Sequence, residues 1–525
     1  MGKYDLLRDQ LAAEPAGICT VTMRFGEVEA LVGPLPQSAR VVHRQWWANA
    51  SKVQACAWRA AGWRVKEVDQ TAEWVTFTRD TPGESHAAQS VVEPRMDEAT
   101  SPRATAPVYP FDEPGCKIIV HEGDIEIIGL GMGSGTVVAT MNGRLGIEWN
   151  VHVPTRAQLG DVTLRLQRPD LGFVKLDAVV THSGGRGWIG SASLESGQQL
   201  TRVVVHWVSL PWILPAEALH EEQGSWAGHW EAQGAGWSMA MSSRADIGRV
   251  LPLMKQSHHF GVTYTGELRR VDGSSFDESS AADALYGWQV ALSFALGRWV
   301  APALPVGFDA VNRRAWEQWG PWRCDETSGY LSWWDSQNGD DLKDFVACFL
   351  DAWCDLRASR RDLVWHVCHH LIAANHSSTT LEARIMLVQA TLEYLSWVKY
   401  VLSGARSKRK HTKDKHAHDH LRELLAAAGI PKDIPAALPA LQQFATDEGL
   451  ADGPEVVTRV RNRLVHPKDA REPYRIQHLV HQAWELSMQY GELLLLHELG
   501  YRGRFCRRVR PRQWAHAREP VPWAN

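Results

Sequence analysis

The chain has no paired cysteine motif. Its eight cysteines (Cys19, Cys56, Cys116, Cys324, Cys348, Cys354, Cys368 and Cys506) are scattered over 525 residues without a C-x-x-C spacing. That excludes a disulfide-framed secreted module and reads as thiols serving as small core residues in a reducing compartment. A dominant charge is missing too: the formal net charge is −4, so any surface for nucleic acid has to be local. No apolar run approaches membrane-spanning length, and the opening "MGKYDLLRDQLAAEPAG" shows no basic-then-apolar targeting pattern. The expectation is a cytoplasmic protein with no membrane association.

Familiar catalytic spacings are equally scarce. "GLGMGSG" fails G-x-G-x-x-G, no Lys-Ser/Thr follows it, and the next segment, "TVVATMNG", alternates like a strand. A glycine-rich hairpin is expected there rather than a nucleotide loop. "WHVCHHLIAANH" offers His366, Cys368, His369, His370 and His376, with Cys354 upstream. This matches no zinc spacing, and the adjacent His369 and His370 leave a helix on different faces. No metal and no cofactor are expected, and spacing identifies no Ser/His/Asp set or carboxylate pair.

What the chain has is length for several cores, 44% hydrophobic residues and 25 tryptophans. Spread this widely, the tryptophans read mainly as packing. Residues 1–80 predict a small α+β unit: "FGEVEALVG" and "SKVQACAWRAAG" have helical spacing, and "WRVKEVDQTAEWVTFTR" reads as two strands about a turn. Residues 81–114, rich in Pro, Ser, Thr and acid, read as a disordered linker. Residues 115–277 alternate like strands, with turn signals at Asn142-Gly143 and Asp272-Gly273, and predict a β-rich domain, sandwich or barrel-like, with a sensing or regulatory role. Residues 278–380 form a helical connecting region. From 381 to 525, apolar residues recur at three- and four-residue steps, as in an all-α helical bundle. The expected class is multidomain α+β.

One helix of that bundle is strongly punctuated. In "DGPEVVTRVRNRLVHP", Asp452 can cap it, Glu455 would complete a capping box, and Pro454 suits the first turn. The same helix carries Arg461, Asn462 and His466. Composition alone supplies about two Arg/His pairs with four residues between them, and the sequence holds three: Arg361/His366, Arg406/His411 and Arg461/His466. Spacing is therefore no evidence, and context has to separate them. Asn462 and His466 share a face at i,i+4, whereas Arg461 and His466 would stand about 140° apart on a regular helix. Pro467 disfavours the α region at His466 and should unwind the helix there, freeing the imidazole to turn.

With "RNRLVH" as the motif, and "GIPKDIPAALPAL" and "LLLLHELGYRGRFCRRVRP" around it, residues 381–525 resemble the HEPN domain, in the branch found in ApeA-like anti-phage proteins. The similarity extends loosely back to about 115 and departs at Thr263, Tyr264 and Leu296. The resemblance implies a metal-independent endoribonuclease acting as a homodimer through the HEPN bundle. The RNA 2′-hydroxyl is its nucleophile, a 2′,3′-cyclic phosphate its product, and tRNA one expected substrate. His466 would be general acid or base, Arg461 the phosphate holder and Asn462 an orienting donor, with Glu393 on the first bundle helix a further candidate. The implied role is antiviral defence by abortive infection, triggered by an unknown ligand such as a phage protein. The alternative is a HEPN bundle without turnover that binds RNA or a partner.

Two basic runs are candidate RNA contacts: Lys408, Arg409, Lys410, Lys413 and Lys415 in "ARSKRKHTKDKH", and Arg507 and Arg508 in the tail. In the first domain, "SAR", "WW-x-N" and "AW-x-x-AGW" elements resemble a small bacterial domain attached to nuclease-like proteins. A winged-helix-like reader there would use Arg40, Arg44 and Asn49, with Trp46 and Trp47 anchoring its core.

Overall fold

The computed structural model describes residues 4–15, 18, 20–35, 39–40, 47, 57–58, 61–70, 72–79, 102–142, 145–153, 158–182, 185–221, 224–327, 331–355, 358–376, 378–413, 415–469, 471–509 and 518–524. The chain divides into two compact units, Met1–Thr100 and Ser101–Asn525.

In the first unit, helices α1 (Asp5–Ala12) and α2 (Phe25–Val32) accompany an antiparallel sheet of β1 (Thr20–Arg24), β3 (Trp74–Arg79) and β2 (Trp63–Asp69), in that spatial order. The two strands expected from "WRVKEVDQTAEWVTFTR" are β2 and β3. The five-residue β1, too short for its alternation to stand out, completes the sheet. Trp47 and Trp63 are buried, and each indole N–H is satisfied by a backbone carbonyl, Ala39 at 3.0 Å and Leu11 at 2.8 Å. Arg40 is not a free reader of nucleic acid: its guanidinium is held by Glu29 at 2.6 Å and by Glu73 at 2.5 Å. Arg44, Trp46, Asn49 and most of "SKVQACAWRAAG" lie outside the described residues.

The second unit begins with a correction. Residues 81–101 lie outside the described set, but 102–114 are no linker. They form a strap pinned to the domain behind it. Thr105 N–H donates to Ser242 Oγ at 3.0 Å, and Tyr109 N–H donates to Nε2 of the buried His206 at 3.3 Å. Burial holds that imidazole neutral, its pKa lowered to about 4, as an acceptor nitrogen requires.

The β-rich region contains both a barrel and a sheet. Strands β4 (Ile118–Ile127), β5 (Gly131–Thr140), β6 (Gly146–Val151), β9 (Arg186–Ile189), β8 (Gly172–His182) and β7 (Gly160–Arg168) close an antiparallel barrel in that order. "GLGMGSG" enters β5 from the β4–β5 hairpin, with Ile127 opposite Gly131. At Gly133 a Cβ would lie 1.8 Å from the His152 carbonyl oxygen, so β5 needs glycine for packing rather than for phosphate. Beyond the barrel, eight described strands make one antiparallel sheet ordered β10 (Ala192–Glu195), β17 (Arg314–Trp319), β16 (Ala301–Phe308), β11 (Arg202–Val208), β15 (Val262–Arg270), β14 (Trp237–Ser243), β13 (Gly224–Gly234) and β12 (Glu217–Glu221).

Barrel, sheet and strap meet at a buried ion pair. Arg168 of β7 donates to both carboxylate oxygens of Glu317 on β17, at 3.0 and 2.8 Å, and to the Tyr109 hydroxyl of the strap. Tyr109 in turn donates to Glu317 at 2.8 Å, and burial raises its phenol pKa. All three residues are buried.

The region expected to be helical from 278 to 380 is only partly so. Helix α4 (Glu278–Leu296) is capped by Asp277, whose carboxylate accepts from Ser280 N–H at 2.7 Å, and it ends at Gly297 with φ 66°. Residues 301–319 then return to the sheet as β16 and β17. Pro302 and Pro305 argue against a strand interior. β16 tolerates them because its pairing to β11 breaks at a bulge between Val204 and His206, and Leu304 turns to φ 49°.

Helices α3 (Ile247–Ser257), α5 (Gly339–Cys354), α6 (Ala358–Asn375), α7 (Leu381–Trp397), α8 (Lys408–Lys413), α9 (Ala417–Ala427), α10 (Pro439–Glu448), α11 (Gly453–Val465) and α12 (Leu479–Glu498) complete the described α-helices. A short hairpin of β18 (Arg504–Cys506) and β19 (Arg518–Pro520) follows. One apolar cluster runs from Trp207 and Met239 in the sheet through Trp288 and Phe294 of α4 and Trp353 of α5 to Leu371 of α6 and Trp484 of α12. The sheet and the C-terminal helices therefore share a core. Among the described residues twelve tryptophans are fully buried, in keeping with a packing role. Among the described residues no helix is long and apolar enough to cross a membrane.

At the end of α12, Glu498 accepts from Lys399 Nζ at 3.0 Å and lies 3.7 Å from the His497 imidazole, and these neighbours lower its carboxyl pKa to about 2. A depressed folded-state pKa adds stability above the ordinary carboxylate range, and that stability fades as pH falls from about 4.5 toward 2. Thermal midpoints of the wild type and Glu498→Gln should therefore differ at pH 6 and converge below pH 4.5. A gap that stays constant across that range would contradict the assignment.

Candidate functional site

The helix carrying the opening motif starts as its sequence dictates. Asp452 Oδ1 accepts from Glu455 N–H at 3.1 Å, and a proline sits in the first turn. The reciprocal half of the expected capping box is displaced by one residue: Glu455 accepts from Ala451 N–H at 3.0 Å, and Arg422 bridges Asp452 and Glu455. Asp452→Ala removes a cap and one of the carboxylate partners of Arg422, and should lower stability by about 1–2 kcal/mol in denaturant unfolding.

Val456, Val457 and Val460 turn one face of α11 into the bundle. Asn462 is exposed and Arg461 partly so. The helix ends at Val465, and His466 leaves it with φ −130° and ψ 60°, its N–H still bonded to the Asn462 carbonyl at 2.8 Å. The release expected before Pro467 is present, and the His466 side chain stands in solvent.

The Arg461 guanidinium donates to the carboxylate of Glu393 on α7. Their side chains are 25% and 51% exposed, so the structure brings this pair of candidates together at the surface. The pair uses one Nη of a fork carrying five N–H donors. It fixes the guanidinium and also sets a carboxylate in competition with any incoming phosphate.

Two residues not singled out from sequence shape the same loop. Arg463 pairs with Glu448 at 2.6 Å and with Glu472 at 3.3 Å, and lies over the Phe444 ring. The buried Glu472 also accepts from Lys468 N–H at 2.6 Å, two residues past His466. The second arginine of "RNR" therefore ties down the segment bearing the histidine. Its short spacing to Arg461 gave no hint of this division of work, because the partner Glu472 follows a turn.

The basic candidates divide. Lys408, Arg409, Lys410 and Lys413 are exposed on the short helix α8, not on a loop, because His411 turns inward and anchors it. Lys408 lies 5.8 Å from the Trp397 ring centroid, and Lys415 is paired with Glu423. Arg507 is half-exposed and meets Glu519 at 2.6 Å. Arg508 is a correction: it is buried, salt-bridged to Glu492 at 2.5 Å and bonded to Asn375, so it cannot reach RNA. The other Arg/His pairs also resolve. Arg361 is taken up by Asp283, and Arg406 pairs with Glu423 at 3.1 Å.

The histidines of α6 are packing groups. His369 stacks on Trp365 at 4.4 Å and meets the Tyr286 hydroxyl, and burial lowers its pKa to about 4. Cys368 is buried, and among the described residues no group of three or more His, Cys, Asp or Glu side chains is placed to hold a metal ion.

One cavity borders these helices and another opens on the barrel. One, of about 330 Å³, lies between α7, α8 and α9 and includes Glu393 in its wall. The other, of about 1030 Å³, opens on the barrel beside Arg168, with Glu122, Asp124, Arg165 and Phe173 around it.

The chain is thus a barrel-and-sheet protein with a helical C-terminal region that carries an Arg–Asn–His helix end. Residues 195–330 match the YopA central domain, 357–519 the YopA C-terminal domain, and 4–81 a domain of unknown function (DUF7662). The SPbeta prophage-derived uncharacterized protein YopA of Bacillus subtilis (strain 168) is 27% identical over 294 residues. That alignment covers 55% of this chain and 64% of the relative, so the chain spans less than two thirds of its length. No solved structure matches.

Proposed function

We propose that the protein is a metal-independent endoribonuclease of HEPN type, with its active site at the end of α11. The observation that carries this reading is one helix end holding Arg461, Asn462 and the solvent-exposed His466, with four exposed cations on α8, which shares a cavity wall with Glu393, the partner of Arg461. RNA brings its own nucleophile, so the site need only move protons and offset charge. One imidazole takes the 2′-hydroxyl proton as the oxygen attacks the adjacent phosphorus. A proton is delivered to the departing 5′-oxygen, leaving a 2′,3′-cyclic phosphate and a 5′-hydroxyl. Two copies of the His466 face across a two-fold axis would supply the base and the acid. Arg461 would contact the phosphoryl oxygens once phosphate displaces or shares Glu393.

The Arg461–Glu393 pair is also what favours the second reading, a bundle that binds RNA or a partner without turnover. Purified full-length protein incubated with total RNA, with and without chelator, separates the two. Chelator-resistant cleavage giving cyclic-phosphate ends supports the enzyme, and RNA bound but left intact supports the binder. In the enzyme reading the barrel and the first unit restrain or trigger an abortive-infection nuclease in the cytoplasm, tRNA is a substrate to include in the assay, and a phage protein is a candidate trigger.

A further inference from the structure

A third cavity, of about 610 Å³, lies between the strap and the large sheet. Strap residues 103–108 form one wall, and β11, β15, β16 and β17 form the other. Strand register sets three arginines in one row across that second wall. Arg202 of β11 is paired with Phe308 of β16, and Phe308 with Arg314 of β17. On the other side Val203 is paired with Leu268 of β15, which places Arg269 beside Arg202. Arg103 of the strap adds a fourth guanidinium, exposed at the cleft.

One carboxylate lines the cleft with these four. Glu267 accepts from Arg269 Nε at 2.6 Å and from Arg202 Nη1 at 3.3 Å. Arg314 reaches the buried Glu317 at 3.3 Å, but shares it with Arg168. Asp170 accepts from the Arg314 backbone N–H at 3.0 Å. With Arg168 included, five guanidinium charges meet three carboxylates, so positive charge is left over. Like charges set opposite one another on a sheet are destabilising, and this row keeps them there. Its donors are also held ready. Arg202 lies 3.9 Å over the Phe308 ring, which fixes its plane. Among the described residues, Arg103 and the Nη groups of the half-exposed Arg269 carry no hydrogen bond or ion pair.

We propose that this cleft binds a ligand carrying two or more phosphate groups. The row from β15 to β17 crosses three strand spacings, about 14 Å, more than a single phosphate can bridge. Arginine forks match phosphate oxygens two at a time, and the cleft is lined by arginines without a lysine. Each of the four strands has neighbours on both sides, so an acidic peptide finds no edge strand to extend. The phosphates belong either to a free phosphorylated small molecule or to an RNA backbone. The second source rests on the ribonuclease reading, whereas occupancy by phosphate does not.

Calorimetric titration of the full-length protein with inorganic tripolyphosphate, and with a 2′-O-methyl uridylate dodecamer, tests this. The dodecamer lacks the 2′-hydroxyl nucleophile and cannot be cut, and hexaglutamate serves as the carboxylate control. At least one phosphate probe should bind about tenfold or more tighter than hexaglutamate. The double variant Arg103→Gln, Arg269→Gln removes two exposed guanidinium groups and should weaken that probe about tenfold or more. The double variant Lys175→Gln, Arg186→Gln lowers the net charge equally at exposed barrel positions, and should stay within about threefold of the wild type. The cleft is refuted if neither phosphate probe outbinds hexaglutamate, or if the cleft and barrel variants bind alike. A loss confined to tripolyphosphate assigns a free ligand, and a loss confined to the dodecamer assigns RNA. Loss of both, with tripolyphosphate displacing the dodecamer from the wild type, supports one phosphate site open to either. Phosphate binding without any RNA cleavage by the wild type would sink the ribonuclease reading and leave the cleft standing. Cleavage without phosphate binding at these arginines would do the reverse.

Discussion

His466→Ala should lower the rate of RNA cleavage by about 10²–10⁴, the usual contribution of a positioned general acid or base. Its fold should be untouched, because the side chain is exposed beyond the last turn of α11. Arg461→Ala should lose a comparable factor by removing phosphate contact, and Arg461→Lys should recover little, since an ammonium cannot reproduce a planar fork. Thermal midpoints of all three variants should lie close to the wild type, since Arg461–Glu393 is a half-exposed pair worth little to stability. RNA decay followed by gel over time reads the effect. If His466→Ala and Arg461→Ala cleave within threefold of the wild type, the site is elsewhere.

Glu317→Ala is expected to be the most damaging single change to the fold. It leaves Arg168 charged, buried and without its carboxylate, and takes from Tyr109 the acceptor of its hydroxyl. Breaking a buried pair by removing one partner typically costs about 3–5 kcal/mol. Urea unfolding should show that loss, and Arg168→Ala should show a similar one. Because the pair joins β7, β17 and the strap, limited proteolysis of either variant should open the chain near residues 102–116 before the C-terminal helices yield. A loss under 1 kcal/mol in both variants would mean the three elements hold together without it.

The local signals in the sequence were good where one element answers to its own residues. α11 begins at its aspartate cap and ends before its proline, β2 and β3 flank their polar turn, and the glycine-rich run is a hairpin. The signals were poor where distant segments supply the reason for a structure. The strap reads as a linker because its buried anchor, Tyr109, finds its partners about 100 and 200 residues away, in His206 and Glu317. β16 reads against its prolines because the extra residue that admits them, at Leu304–Pro305, shows only in the pairing with β11. At the candidate site, Arg461, Asn462 and His466 lie on one helix end and were legible together. The pairing of Arg461 with Glu393 spans 68 residues, and the burial of Arg508 depends on Glu492 and Asn375. Neither leaves a mark in local spacing.

The continuous core has a consequence for how such proteins are divided and inherited. The YopA C-terminal match begins at residue 357, yet across that boundary Asn375 donates to the carbonyls of Gly297 and Leu331, Arg508 donates to Leu331, and Cys506 N–H donates to Trp333. A fragment cut at that point would carry those donors and the apolar face of α6 bare into water, and should aggregate rather than report on activity. Recombination faces the same seam. A lineage that exchanged the helices alone would inherit an insoluble half, so sheet and helices are expected to pass between genomes as a single block.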